Sequence, residues 1–313
     1  MQLAPLTLKS IRARAVVLWL KRPVVVRIAT IHEWPLILID RFTEEGVVGR
    51  SYLEPYTIKT MRYLIPALQD FGEMLKGRRV APAELYEAAR KSLHFVGYEG
   101  QSMIAVAGLD MAAWDALAKA RGVPLCVLLG GSAGPVKAYN SNGLWLHPPE
   151  KLASKAIALR DEGGFTGLKL RLGRQSARED LAAIEAIRGA VGDDMELMAD
   201  FNHGLTFDEA LRRCHMIDDA GLAWIEEPIV YDNLDGYARL AADISTPIQI
   251  DENFYGPRDM HMALRAKACD LVMPDFMRVG GVTGWLRAAA IAGAAGIPMS
   301  THLYPEVPPT SCA

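Results

Sequence analysis

Three short stretches, Ala199-Asp200-Phe201-Asn202, Trp224-Ile225-Glu226-Glu227-Pro228 and Asp251-Glu252-Asn253, each close an apolar run on a carboxylate. Asp200, Glu226 and Glu252 follow one another at intervals of 26 residues. That interval holds one strand, one helix and two short loops, the repeating unit of a βα barrel, in which every strand points its C-terminal end at the same face. Acids ending three successive strands then converge. An all-oxygen ligand set favours a hard cation, Mg²⁺ before Ca²⁺ or Mn²⁺. A plainer account, in which each acid only caps the following helix, explains the polarity but not the matching intervals.

Basic groups accompany the acids. Lys169 and Arg171 are two residues apart, so on a strand both face the same side, while Leu168, Leu170 and Leu172 need burial on the other. Asp275 and His302 end neighbouring predicted strands, where a carboxylate can fix the imidazole tautomer and raise its basicity.

These residues need elements to hold them. Segment 6–20 is β-rich, and segments 34–40 and 47–53 flank the turn Glu44-Glu45-Gly46, which predicts three antiparallel strands. From about Thr57 to Ala120 the spacing of apolar residues turns helical. The Gly-rich stretch Leu128-Leu129-Gly130-Gly131-Ser132-Ala133-Gly134-Pro135 has no phosphate-loop register and reads as a linker. The expected organisation is an α+β capping domain at 1–125 and a (β/α) barrel at 126–313.

In the barrel, segments 136–141 and 167–171 are the first two predicted strands. Ser176 and Glu179 form a capping box, Thr206 and Glu209 repeat it, and Gly221 is placed to end the helix after them. The predicted strand tips Lys169, Asp200, Glu226, Glu252, Asp275 and His302 account for strands two to seven. The chain ends 11 residues after His302, and the expectation is a C-terminally incomplete barrel whose last strand is missing from this sequence.

With 313 residues, 50% of them hydrophobic and 23% charged, the chain can bury a large core, and about two domains are expected. A net charge of −3 without basic clusters argues against nucleic acid or an anionic membrane as partner. Cys126, Cys214, Cys269 and Cys312 lack metal or disulfide spacing and fit reduced thiols in a cytoplasmic protein.

Together with Arg14-Ala15-Val16, Ala107-Gly108-Leu109-Asp110-Met111-Ala112-Ala113-Trp114-Asp115-Ala116-Leu117, Met273-Pro274-Asp275, Gly280-Gly281-Val282-Thr283-Gly284-Trp285 and Ser300-Thr301-His302-Leu303, these residues make the chain resemble the mandelate racemase branch of the enolase superfamily. The resemblance implies an α/β fold, a TIM-type (β/α)7β barrel with an N-terminal α+β cap, and Mg²⁺ on Asp200, Glu226 and Glu252. It implies Lys169, Arg171, Asp275 and His302 as catalytic residues, with His302 and Asp275 as one acid/base dyad and Lys169 steadying the substrate carboxylate. It also implies that Ser141 and Asn202 hydrogen-bond substrate or ligands.

Segments 24–31 and 51–56 correspond to substrate-covering lids, which makes Arg27 and Tyr56 candidate substrate contacts. The chemistry implied is removal of the proton alpha to the carboxylate of a small α-hydroxy acid through an enediolate, by a homo-oligomer, an octamer in many relatives. Overall similarity favours a racemase or epimerase. Arg171 stands where the family has a second lysine, and a guanidinium is a poor proton acceptor, which speaks for an acid-sugar dehydratase. A catalytically silent barrel acting as a binding protein is the alternative of another class.

Overall fold

The computed structural model describes residues 5–305. It begins with β1 (Leu8–Val26) and β2 (Ala29–Thr43), a hairpin whose tip is Arg27-Ile28, followed by β3 (Val48–Leu53). The three strands form one antiparallel sheet in the order β1-β2-β3. The strands run further than the sequence suggests, because pairing of Val24, Val25 and Val26 with Ile31, Thr30 and Ala29 carries the ladder through the expected lid loop to its tip. Ile37, Ile39 and Leu53 are buried on one face, each contributing about 2 kcal/mol of apolar burial.

That face is covered by α1 (Ile58–Leu75) and by α3 (Gln101–Arg121), with α2 (Pro82–Ser92) packed against α3. Thr57 caps α1 by accepting from the Thr60 N–H, and Gly122 ends α3 in the left-handed conformation. α3 is apolar on nearly every side because it is a central element, packed on β3 on one side and on the last helix of the chain on the other. Gly49 on β3 permits the approach: a Cβ there would lie 2.0 Å from Ala112 O.

After α4 (Leu125–Leu128) the Gly-rich stretch runs without regular structure. Next come β4 (Asn140–Leu144), α5 (Pro149–Asp161), β5 (Gly167–Arg171), α6 (Ala177–Val191), β6 (Glu196–Asp200), α7 (Phe207–Ile217), β7 (Ile225–Glu226), α8 (Leu234–Asp243), β8 (Ile248–Ile250), α9 (Pro257–Arg265), β9 (Leu271–Val272), α10 (Phe276–Val279) and α11 (Gly281–Ala295). β4 to β9 form one parallel sheet in sequence order. The first barrel strand therefore begins at Asn140 rather than at Val136, whose side chain is exposed and forms no ladder.

The segment expected as strand seven adds two parallel bridges, Val272 with Met299 and Asp275 with His302, in place of a ladder. The Ser176–Glu179 capping box is present in both directions. At α7 the Thr206 side chain caps the Glu209 N–H, but the Glu209 carboxylate turns to Arg213 and Arg27, so the reciprocal half of the box is not made.

The two sheets are joined through α3 and α11. The Asp110 carboxylate accepts from the Thr283 N–H at 2.8 Å and the Thr283 hydroxyl at 2.6 Å, and Trp114 Nε1 donates to Thr283 Oγ1 at 3.0 Å. Cys126, Cys214 and Cys269 are free thiols, and Cys312 lies outside the described residues. Among the described residues no helix is long and apolar enough to cross a membrane.

Candidate active site

The parallel register sets Arg171 beside Asp200, Asp200 beside Glu226, and Glu226 beside Gln249. Register partners in a parallel ladder point the same way, so these four side chains form one inward row at the C-terminal end of the sheet. Lys169 lies two residues below Arg171 on the same face, while Leu168 and Leu170 are fully buried on the other. β5 is thus covered on both faces, as parallel strands require. Beyond the strands the backbone ladder continues, with the His203 N–H donating to Glu227 O at 2.8 Å.

Lys169 Nζ donates to Glu226 Oε1 and lies 3.7 Å from Asp200 Oδ2, and Arg171 Nη1 donates to Asp200 Oδ2. The other Glu226 oxygen accepts from Trp224 Nε1 at 2.9 Å and Gln249 Nε2 at 3.0 Å. Burial opposes the Glu226 charge, but Lys169 and Arg171 outweigh it and hold this carboxyl below the usual range. Asp251 is pushed well up by burial and by the charges of Glu226 and Glu252. Six acids, Asp200, Glu226, Glu227, Asp251, Glu252 and Asp275, thus meet at one end of the sheet.

His302 and Asp275 form the expected pair, Nδ1 to Oδ2 at 2.9 Å. Asp275 also caps α10, accepting from the Met277 N–H at 2.6 Å and the Arg278 N–H at 3.3 Å, so its carboxylate is fixed before it meets the imidazole. Burial works against the imidazolium, but Glu252 and then Asp275 raise the His302 pKa above its ordinary value. With Nδ1 directed at Asp275, Nε2 faces Glu252 Oε2 at 3.8 Å.

The ligand-type atoms that approach within 4.8 Å of one another form two sets among the described residues, His203 with Glu227 and Glu252, and Asp251 with Glu252 and His302. Glu252 belongs to both sets. Asp200 and Glu226 instead carry Arg171 and Lys169, because both bases project from the same face of β5, Arg171 meeting Asp200 on the adjacent β6 and Lys169 reaching past β6 to Glu226 on β7. The donor set fits a hard dication: carboxylates predominate, and Asp251 Oδ1 and Asn202 Oδ1 are buried oxygens with no hydrogen-bond partner in the structure.

The remaining predicted residues spread around this centre. Asn202, at φ 46°, donates from its N–H and Nδ2 to Asp200 at 2.7 and 3.1 Å. Ser141 is half-buried on β4. Tyr56, at φ 59°, lays its ring 4.8 Å from the Arg278 guanidinium carbon and reaches the cluster from the cap. Arg27 does not reach it. Its guanidinium donates to Gly173 O, Arg174 O and both Glu209 oxygens at 3.0–3.3 Å, on the outer rim.

Several members of the site escaped the sequence analysis. His203 Nε2 stands 2.6 Å from Glu227 Oε2, and its pKa is raised to about 9, burial being overcome by Glu227. Asn253 joins this pair at 2.9 Å from His203 Nε2. Arg278 donates to Asn253 Oδ1 and lies 3.7 Å from Glu252 Oε1. Gln249 had a visible signal, a polar residue at an inward position of the apolar run Pro247-Ile248-Gln249-Ile250. Asn202, His203 and Glu227 all have positive φ, and such strain gathers where a site overrides local preference.

Comparison with known proteins matches residues 10–130 to the N-terminal domain of the mandelate racemase / muconate lactonizing enzyme family and residues 151–313 to the enolase C-terminal domain-like family. An enolase from alpha pretobacterium bal199, solved with bound magnesium, is 62% identical with a TM-score of 0.96, over 98% of this chain and 87% of that one. An enolase from Bradyrhizobium, solved with magnesium and mandelic acid, is 39% identical with a TM-score of 0.94, over 100% of this chain and 87% of that one.

The L-talarate/galactarate dehydratase of Salmonella typhimurium is 35% identical over 212 residues, which is 68% of this chain and 53% of that protein. The chain thus spans a little over half the length of this curated relative. Both sheets, the register that aligns the acids and these matches lead to one assignment: the chain belongs to the mandelate racemase / muconate lactonizing enzyme family of the enolase superfamily.

Proposed function

We propose that the chain is an acid-sugar dehydratase that removes the proton alpha to the carboxylate of an α-hydroxy acid, with residues 1–125 capping a barrel formed by 126–313. The observation that carries this reading is the asymmetry of the two catalytic faces. His302, oriented by Asp275, offers an imidazole that can take a proton, whereas the opposite face carries the Arg171 guanidinium, bonded to Asp200 and protonated at any working pH. One-sided chemistry suits elimination better than racemisation, which needs a base on each face. The ranking suggested by overall sequence similarity is therefore reversed.

Asp200, Glu226 and Glu252 are the residues proposed to hold Mg²⁺, which when bound supplies positive charge at the substrate carboxylate. Lys169 and Arg171 add fixed positive charge on the β5 side, where negative charge grows as the proton leaves. His302 Nε2 accepts the α-proton, the Cα–H electron pair moves into the carboxylate system, and its return expels the β-hydroxyl. The proton held on Nε2 leaves with that hydroxyl as water, and the enol product becomes a 2-keto-3-deoxy acid. Asn202 and Ser141 are proposed to orient the bound acid, and Tyr56 to cover it.

The Salmonella relative is named for dehydration of talarate and galactarate, which supports this substrate class. Racemisation of an aryl α-hydroxy acid is the second reading, favoured by the mandelic acid bound in the Bradyrhizobium structure. Incubating the purified protein and Mg²⁺ with a panel of C5 and C6 aldonates and aldarates, with a colour assay for 2-keto acids, tests the first. Product from one or a few acids supports dehydration. No product from any of them, together with inversion of mandelate in polarimetry, replaces it by the second.

A further inference from the structure

We propose that Arg27 is a positioning residue that locks the exit loops of β5 and β6 together from the tip of the β1–β2 hairpin, rather than a substrate contact. This rests on the reading of the same site given above, because one loop follows Lys169 and Arg171 and the other follows Asp200 and carries Asn202 and His203.

The geometry is that of a side chain seated in a slot. A Cβ on Gly173 would stand 2.9 Å from Arg27 Cδ, and a Cβ on Gly204 would stand 2.7 Å from the same atom. The Arg27 methylenes therefore occupy space that only glycines leave, one glycine from each loop. At the end of the slot Nη1 donates to Gly173 O at 3.0 Å and Arg174 O at 3.3 Å, and Nη2 donates to Glu209 Oε1 and Oε2 at 3.1 and 3.2 Å.

Glu209 passes the link inward. Its Oε1 accepts from Arg213 Nη2 at 2.7 Å, and Arg213 Nη1 donates to Asp180 Oδ2 at 2.5 Å. Asp180 is fully buried and accepts the Gly173 and Arg174 N–H groups at 3.0 Å each. Arg174 in turn donates to His147 O at 2.9 Å, and the Leu146 N–H donates to Val25 O at 3.4 Å, returning to the hairpin. A run of charged pairs, Arg27–Glu209–Arg213–Asp180–Arg174, closed by hydrogen bonds to backbone carbonyls, thus ties the hairpin tip, the β4 loop, the β5 loop and α7. Charge-assisted and bidentate bonds of this kind fix orientation more firmly than neutral ones.

Hydrogen–deuterium exchange by mass spectrometry on wild type, Arg27→Lys, Arg27→Met and Arg27→Ala, with Mg²⁺ present, tests the lock. The expected result is at least tenfold faster exchange in segments 145–147 and 172–175 for Arg27→Ala. Arg27→Met, which keeps the methylenes in the slot, is expected between Ala and wild type, and Arg27→Lys nearer to wild type. On any acid the wild type turns over, kcat is expected to fall about tenfold with KM within twofold.

Unchanged exchange in both segments overturns the proposal, and so does a tenfold rise in KM at constant kcat, which marks a substrate contact. If no acid is turned over, exchange alone decides on Arg27, and the failure belongs to the functional reading.

Discussion

His302 Nδ1 lies 2.9 Å from Asp275 Oδ2, and the backbones of these two residues are joined by a parallel bridge that continues the barrel order beyond β9. The bridge sets the distance, and the cap on α10 sets the carboxylate, so the imidazole is held from both sides. Asp275→Asn retains a side chain able to cap α10 but presents an amide to Nδ1, which loosens the tautomer that leaves Nε2 free. A loss of about 10² to 10⁴ in kcat is expected, with the melting temperature nearly unchanged. Steady-state kinetics with a melting curve checks this, and a variant within threefold of wild type removes the dyad from the mechanism.

Glu226 is fully buried between Lys169, Trp224 and Gln249. Glu226→Gln removes the carboxylate that Lys169 faces and one proposed Mg²⁺ ligand. Isothermal titration with MgCl₂ is expected to show no binding at millimolar concentration. Urea unfolding without Mg²⁺ is expected to show a loss of about 3 kcal/mol, the low end for breaking a buried ion pair. Wild-type Mg²⁺ affinity in the variant contradicts the ligand assignment.

Asp110 is buried at the α3–α11 junction, and burial pushes its pKa up to about 7 despite the Thr283 hydrogen bonds and the nearby Arg41. The folded protein then keeps a proton that the unfolded chain, with the ordinary carboxyl value near 3.8, has released. Stability from this group is present below pH 4 and is lost as pH rises to about 7, by roughly 1.4 kcal/mol per unit across that window. Urea unfolding at pH 4.5, 6 and 7.5 is expected to show a shallower decline in Asp110→Asn than in wild type. Parallel curves overturn the assignment.

Gly49 stands where a Cβ would be 2.0 Å from Ala112 O and 2.8 Å from Ala116 Cβ. Because one of these atoms is helix backbone, α3 must move away from β3 to admit a methyl group. Gly49→Ala is expected to cost about 3 kcal/mol, as overpacking of a tight core does, and to lower the melting temperature by several degrees. A change below 0.5 kcal/mol in chemical unfolding shows that the contact yields easily.

Much of this was legible in the residues. The even spacing of Asp200, Glu226 and Glu252 reflects the strand–helix period, and the alternation in Leu168-Lys169-Leu170-Arg171 reflects two differently occupied faces of β5. Pairings across the sequence were less legible. Arg27 meets Glu209 across 182 positions, and Trp114 meets Thr283 across 169. Single-residue patterns carry no trace of such partners. The His203–Glu227 pair was not legible either, because positive φ at both residues turns the chain out of strand alternation and brings the two together.

The central claim is that one base, His302, removes an α-proton from an α-hydroxy acid. The most direct measurement is NMR of α-proton exchange in D₂O with Mg²⁺, using acid sugars and both enantiomers of mandelate, on wild type and His302→Asn. Exchange or elimination from a single configuration, abolished in His302→Asn, is the predicted result. Exchange from both configurations that survives in the variant would place the active base elsewhere and contradict the account.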